Sequence, residues 1–149
     1  MKDIYDTLEF NQIKKRISEY CASDLAKEQV LKIMPFSDYD DLLLEQKYLD
    51  QAIRLVYKYG RLPIGSFVDI KPYLNKANKD GTLFGDEFVA IVYLLNNVKE
   101  IKEYLDDKEL DDDELFQFCQ QLILPKQLLD SINRCIDSSG NVLDSASPK

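Results

Sequence analysis

The chain has 149 residues, 45% hydrophobic and 31% charged, with five glycines, five prolines and no histidine. That length suits one domain with a single sizeable core, and the balance is that of a globular protein, not a disordered one. So few turn residues argue against a many-stranded β fold. The net charge of −8 is local: residues 103–114 hold eight acidic side chains against Lys108 alone, which leaves −1 for the rest. A nearly neutral body releases few counterions from phosphate, so nucleic-acid binding by the chain as a whole is disfavoured.

Cys21, Cys119 and Cys135 are an odd number at spacings that match neither a disulfide framework nor a zinc site. They fit a reducing compartment. The start of the chain lacks the apolar stretch of a signal peptide, and no apolar run approaches the eighteen or so residues of a membrane span. The expectation is a soluble, cytoplasmic protein with no membrane partner.

Apolar residues recur at helical spacing almost throughout. Phe10, Ile13, Ile17 and Tyr20 mark a first helix. Ser23 is placed to cap a second, which carries Ala26, Val30 and Ile33 or Met34 and stops before Pro35. Ser37 opens a long third helix to about Tyr59, with Gly60 to end it and a stripe of Leu42, Leu49, Ile53 and Val56 in which Gln46 is the polar member. After the irregular segment 60–66, Asp69 can cap a short helix with Ile70, Tyr73, Leu74 and Ala77, and Pro72 sits harmlessly in its first turn. Gly85 and Asp86 start the second long helix, whose seam is Phe88, Ile91, Leu95, Val98, Ile101 and Leu105. Asp111, Asp112, Asp113 and Glu114 then stand where another helix begins, a position the macrodipole favours by roughly 0.3–1 kcal/mol per charge. That helix shows Leu115, Phe118, Cys119 and Leu122. A last one after Pro125 shows Leu128, Ile132 and Cys135 or Ile136, and ends near 138–140. These readings predict one all-α domain of six or seven helices, built around the long helices at about 38–59 and 86–105.

Little in this pattern carries chemistry. The absence of histidine removes the commonest general base and metal ligand. Residues 60–65 lack the Gly-Lys-Ser/Thr ending of a phosphate loop, and Ser145 and Ser147 have no histidine to activate them. The cysteines lie on apolar helical faces and read as small core hydrophobes. The acidic strip matches no calcium loop; it reads as a solvated lead into a helix or, through Asp111, Asp112, Asp113 and Glu114, as a docking strip for a basic partner. Lys14, Lys15 and Arg16 form the basic cluster and read as a solvated face, with phosphate contact as the alternative. Tyr20 and Tyr73 read as core and not as base-stacking platforms. No catalytic, cofactor-binding or metal-binding residue is assigned.

Three ordered segments carry a resemblance. The first is Leu8-Glu9-Phe10-Asn11-Gln12-Ile13 with Cys21-Ala22-Ser23-Asp24-Leu25-Ala26-Lys27-Glu28. The second is Gly65-Ser66-Phe67-Val68-Asp69-Ile70-Lys71-Pro72-Tyr73-Leu74 with Ala77 and Gly81-Thr82-Leu83. The third is Ile136-Asp137 with Gly140-Asn141-Val142-Leu143-Asp144-Ser145-Ala146-Ser147-Pro148. Together they resemble the amino terminus of the bacterial MutS-two family, the MutS paralogues that carry an Smr nuclease domain. The sequence departs from that pattern at Ala26, Ser66 and Asp80, where the family usually has glycine. The resemblance implies a helical core region at 1–140 and a connector at 141–149 into a lever helix beyond this chain. It further implies that the core is non-catalytic and scaffolds its own lever, clamp and ATPase domains, in a homodimer. ATP, magnesium and the ATPase and endonuclease chemistry belong to those other parts, as does contact with DNA or the ribosome. Family members are associated with suppressing homologous recombination and with rescuing collided ribosomes. The rival expectation is an autonomous helical adaptor that docks a basic protein on its acidic strip.

Overall fold

Local chemistry sets where the helices begin and end. The computed structural model describes residues 8–106, 108, 110 and 114–146. Among these are seven α-helices: α1 (Phe10–Ser18), α2 (Asp24–Lys32), α3 (Tyr39–Tyr59), α4 (Lys71–Ala77), α5 (Gly85–Asp106), α6 (Glu114–Gln120) and α7 (Lys126–Cys135). A 3-10 turn follows at Asp144–Ala146. No strand occurs among the described residues, only an isolated antiparallel bridge between Ile136 and Val142. The fold is a single all-α domain, as expected.

The Ser23 hydroxyl accepts the Ala26 N–H at 3.2 Å and caps α2. Asp38, not Ser37, opens α3, because its carboxylate reaches the N–H groups of Asp40 and Asp41 at 2.8 and 3.1 Å. An ionised acceptor is also favoured at the positive end of a helix. Gly60, at φ 85°, ends α3. At the start of α5, Glu87 reaches back to the Phe84 N–H at 2.7 Å and binds the Lys76 ammonium at 2.8 and 3.0 Å. One carboxylate therefore caps α5 and ties α4 to it.

The better-packed part lies along α5. Ile91 and Leu95 meet Leu129 and Ile132 of α7, with Ile70, Tyr73, Leu83, Phe88 and Val92 around them. Leu129, not Leu128, is the inward residue of α7; Leu128 is exposed. Helix α7 stops at Cys135, short of the expected 138–140, because Asp137 redirects the chain. Its carboxylate accepts N–H groups from Ser139 and Asn141 and the Asn141 amide, while its own N–H bonds back to the Asn141 carbonyl. Residues 141–146 then fold against α7: Leu143 N–H bonds the Cys135 carbonyl at 2.8 Å and the Ser145 hydroxyl bonds the Arg134 carbonyl at 2.9 Å. The loop is seated on α5 through two glycines. A Cβ on Gly85 would lie 1.8 Å from the Gly140 carbonyl oxygen, and Gly140 itself needs φ 85°. Only glycine fits either place.

The other part is open. Helices α1 and α2 pack chiefly on one another, and α3 packs on α6. Tyr20, read as core, is exposed. Most of the stripe read as the inner face of α3 also lies outside, with Leu49 61%, Ile53 46% and Val56 45% exposed, while Leu42 is partly buried. The buried residues of α3 are instead Gln51 and Leu55, on the opposite side. The molecule exposes 11594 Å², against about 7,800 Å² for a compact protein of this mass.

Candidate interaction surface

The basic cluster divides on folding. Lys14 is only 9% exposed, and its ammonium donates to the carbonyls of Leu31 and Ile33 at 3.0 and 3.3 Å while lying 5.0 Å from the Phe10 ring. These carbonyls close the end of α2, where a cation is favoured by both hydrogen bonding and the helix dipole. Lys14 is thus the internal fastener of the hairpin and is not presented to phosphate. Lys15 and Arg16 remain exposed. Two further cations of the hairpin are paired within it, Lys27 with Asp24 at 2.8 Å and Lys32 with Glu28 at 3.3 Å. The Lys27 salt bridge lowers the Asp24 pKa and raises that of Lys27.

Of the acidic strip, Asp111, Asp112 and Asp113 lie outside the described residues. Glu114 turns inward to α3, where it accepts from the Lys47 ammonium and the Gln51 carboxamide. These two donors, helped by the backbone, hold its carboxyl at about 2. The same Gln51 side chain accepts the Leu115 N–H at 2.9 Å. A buried glutamine therefore caps α6 and fastens it to α3, a role no periodicity rule reveals. Nearby, Leu55 and Leu105 face Leu62, Leu115 and Phe116.

A second connector missed by sequence reasoning is Asn97, buried on α5. Its oxygen accepts the Gly65 N–H at 2.5 Å and its amide donates to the Tyr93 carbonyl at 2.9 Å. It holds the irregular segment 60–70 against α5. A shallow concavity of about 290 Å³ lies between α5 and α7, floored by Val89, Val92, Ile132 and Ile136. Its one carboxylate, Asp137, is lowered in pKa by its bonds to the backbone and side chain of Asn141 and is occupied with holding its own loop. Among the described residues no group of three or more His, Cys, Asp or Glu could hold a metal ion. No helix among them is long and apolar enough to cross a membrane.

What the molecule does present is apolar surface. The hairpin shows Ile13, Ile17, Leu31 and, past its end, Ile33, Met34 and Phe36. Helix α3 shows its stripe over most of its 21 residues, about 31 Å at 1.5 Å per residue. Surface of this kind marks an interface.

The chain matches no protein-family model. Among curated proteins it is similar to Endonuclease MutS2 of Halalkalibacterium halodurans, 29% identical over 152 residues and 99% of this chain. The MutS2 protein of Bacillus subtilis is 33% identical over 147 residues, and Endonuclease MutS2 of Bacillus velezensis 32% over 148, each match covering 97% of this chain. The chain is similar to these MutS2 proteins over nearly its whole length. It spans about a fifth of the length of these relatives, 19% of each, which is consistent with an amino-terminal piece of a MutS2 protein.

Asp80 adopts φ 57°, a left-handed conformation that glycine enters without strain. The turn it makes closes α4 through Gly81, whose N–H bonds the Lys76 carbonyl at 2.9 Å.

Proposed function

We propose that this chain is the non-catalytic amino-terminal core of a MutS2 protein, scaffolding the lever, clamp and ATPase parts of the same polypeptide. The observation that carries this reading is the open apolar surface of α1–α3 in a chain that matches MutS2 proteins over nearly its whole length but spans only a fifth of theirs. A domain that exposes so much apolar area gains stability by covering it, and the rest of the polypeptide is tethered at high effective concentration. Once covered, packed helical interfaces switch between discrete arrangements, which suits relaying nucleotide-driven movement. In this reading ATP, magnesium and the nuclease centre belong to the other domains. The homodimer, the cytoplasmic location, and action on branched DNA or collided ribosomes belong to the whole protein. The acidic adaptor is the weaker reading, because Glu114 is engaged with α3.

The test is to express this chain and the remaining polypeptide separately. They should associate with each other, and the recombined pair should recover ATPase activity that the remainder alone lacks. Substitution-sensitive ATP or DNA hydrolysis by this chain alone, or no association with the remainder, would overturn the proposal.

A further inference from the structure

The open stripe of α3 is a heptad seam. Tyr39, Leu42, Gln46, Leu49, Ile53 and Val56 follow one another at steps of 3, 4, 3, 4 and 3. That is the alternation by which one helix meets another along its length. Tyr39, Gln46 and Ile53 take one seam position; Leu42, Leu49 and Val56 take the other. Lys47, Tyr48, Gln51 and Leu55 occupy the back of the helix, and these contacts of α6 lie there: the Glu114 bonds, the Leu115 cap and the Tyr48–Phe118 ring pair. The seam is therefore not a face that α6 could cover by a small shift.

Charge and polarity restrict what does cover it. A second copy is a poor occupant in either direction. Run parallel, two α3 helices would set Glu45 beside the other copy's Asp50 and bring both acidic starts (Asp38, Asp40, Asp41) together. Run antiparallel with all six positions matched, each Gln46 would face Leu49 of the other copy, burying a carboxamide without a partner. Helix α3 is itself polar end to end, acidic where it starts and basic where it closes at Lys58 and Arg61. An antiparallel partner puts its own last turn, where Lys and Arg are favoured, beside that acidic start.

We infer that the α3 seam receives an antiparallel, heptad-patterned helix from the remainder of the same MutS2 polypeptide, with a polar side chain opposite Gln46 and basic residues facing Asp38, Asp40 and Asp41. This inference rests on the scaffold reading above and adds the site, the direction and the chemistry of the contact. The relatives' length leaves about four-fifths of the polypeptide to supply such a helix.

The experiment places the photo-cross-linker p-benzoylphenylalanine singly at Leu42, Val56 or, on the hairpin, Ile17 of a full-length MutS2 polypeptide carrying this chain. Ile17 and Val56 are about half exposed and Leu42 is partly exposed, so the chain folds around the probe. Leu42 and Val56 should capture one helix beyond residue 149, the Val56 target preceding the Leu42 target in sequence. The double substitution Asp40→Lys, Asp41→Lys should weaken the Leu42 capture about five-fold, as like charges meet. Capture of α3 in a second copy, capture in the reverse order, or capture from Ile17 but not from α3 would overturn the inference alone. No capture at any of the three positions would overturn the scaffold reading with it.

Discussion

Helices α3 and α5 are nearly equal in length, 21 and 22 residues, and each carries a six-position seam, apolar throughout in α5 and with Gln46 as the polar member in α3. Yet the α5 seam is packed and the α3 seam is open. Ile91, Leu95 and Leu105 are buried, with Phe88, Val98 and Ile101 half-buried beside them, whereas Leu49, Ile53 and Val56 stand in solvent. Periodicity therefore identifies the face that requires a partner, but not whether that partner lies within the chain. The largest test of the contrast is in the packed part. Ile132→Ala should destabilise the protein by about 2–4 kcal/mol, the cost of deleting a buried branched side chain and leaving a cavity, measured by urea unfolding. A cost below about 1 kcal/mol would mean that the α5–α7 core is no better formed than the open part.

The next test concerns the one place where α3 is held. Gln51→Ala removes both the cap on Leu115 and the bond to Glu114. It should cost about 1–2 kcal/mol and speed amide exchange through α6, leaving α7 protected. Equal exchange in wild type and variant would show that the leucines alone fasten α6.

These two positions also show what the sequence could disclose. The α5 seam was legible because its partners are in the chain: α4 and α7 around Ile91 and Leu95, and α3 and α6 around Leu105. The α3 stripe was equally legible as a pattern but was assigned to the core, since its polar member Gln46 and its open position carry no local signal. Gln51 and Lys14 were not legible at all. Gln51 lies on the side of α3 that hydropathy marks as outward and Lys14 at the edge of the apolar face of α1 beside Phe10, and each is buried because it supplies a hydrogen bond to the end of another helix. Such a match depends on tertiary geometry. The cap at Asp38 was missed by one residue because Ser37 is an equally good cap by type; only the position of the Asp40 and Asp41 N–H groups decides between them.

Acid titration gives a subtler reading of the α3–α6 contact. The Glu114 carboxyl lies at about 2 instead of the ordinary 4.5, first through Lys47 and then Gln51. The unfolded chain therefore takes up this proton before the folded one. The stabilisation from Glu114 is full above about 4.5 and is lost as pH falls through the folded value near 2. Glu114→Gln should remove that part of the acid dependence, and carboxyl NMR should find the folded pKa rising toward its ordinary value in Gln51→Ala. An unchanged profile in both variants would place the contact outside the folded protein's energetics.

Asp80→Gly should be stabilising, by a few tenths to about 1 kcal/mol, since relief of the left-handed strain exceeds the added flexibility of glycine. Thermal unfolding at neutral pH checks the sign.

The smallest expected effect discriminates most sharply between the two helices. Leu49→Asn removes a leucine from the middle of a six-position seam, which in α5 would be severe. In this chain Leu49 is 61% exposed, so little burial is lost and the change in unfolding free energy should stay within about 0.5 kcal/mol. In the full-length polypeptide the same substitution should cost the contact its central leucine and loosen the captured helix. A large cost in both settings would mean that α3 finds its cover within residues 1–149, and a negligible cost in both would mean that its seam is never covered. Only the combination of a silent change here and a costly one there fits a helix whose face is made for a partner elsewhere in the protein.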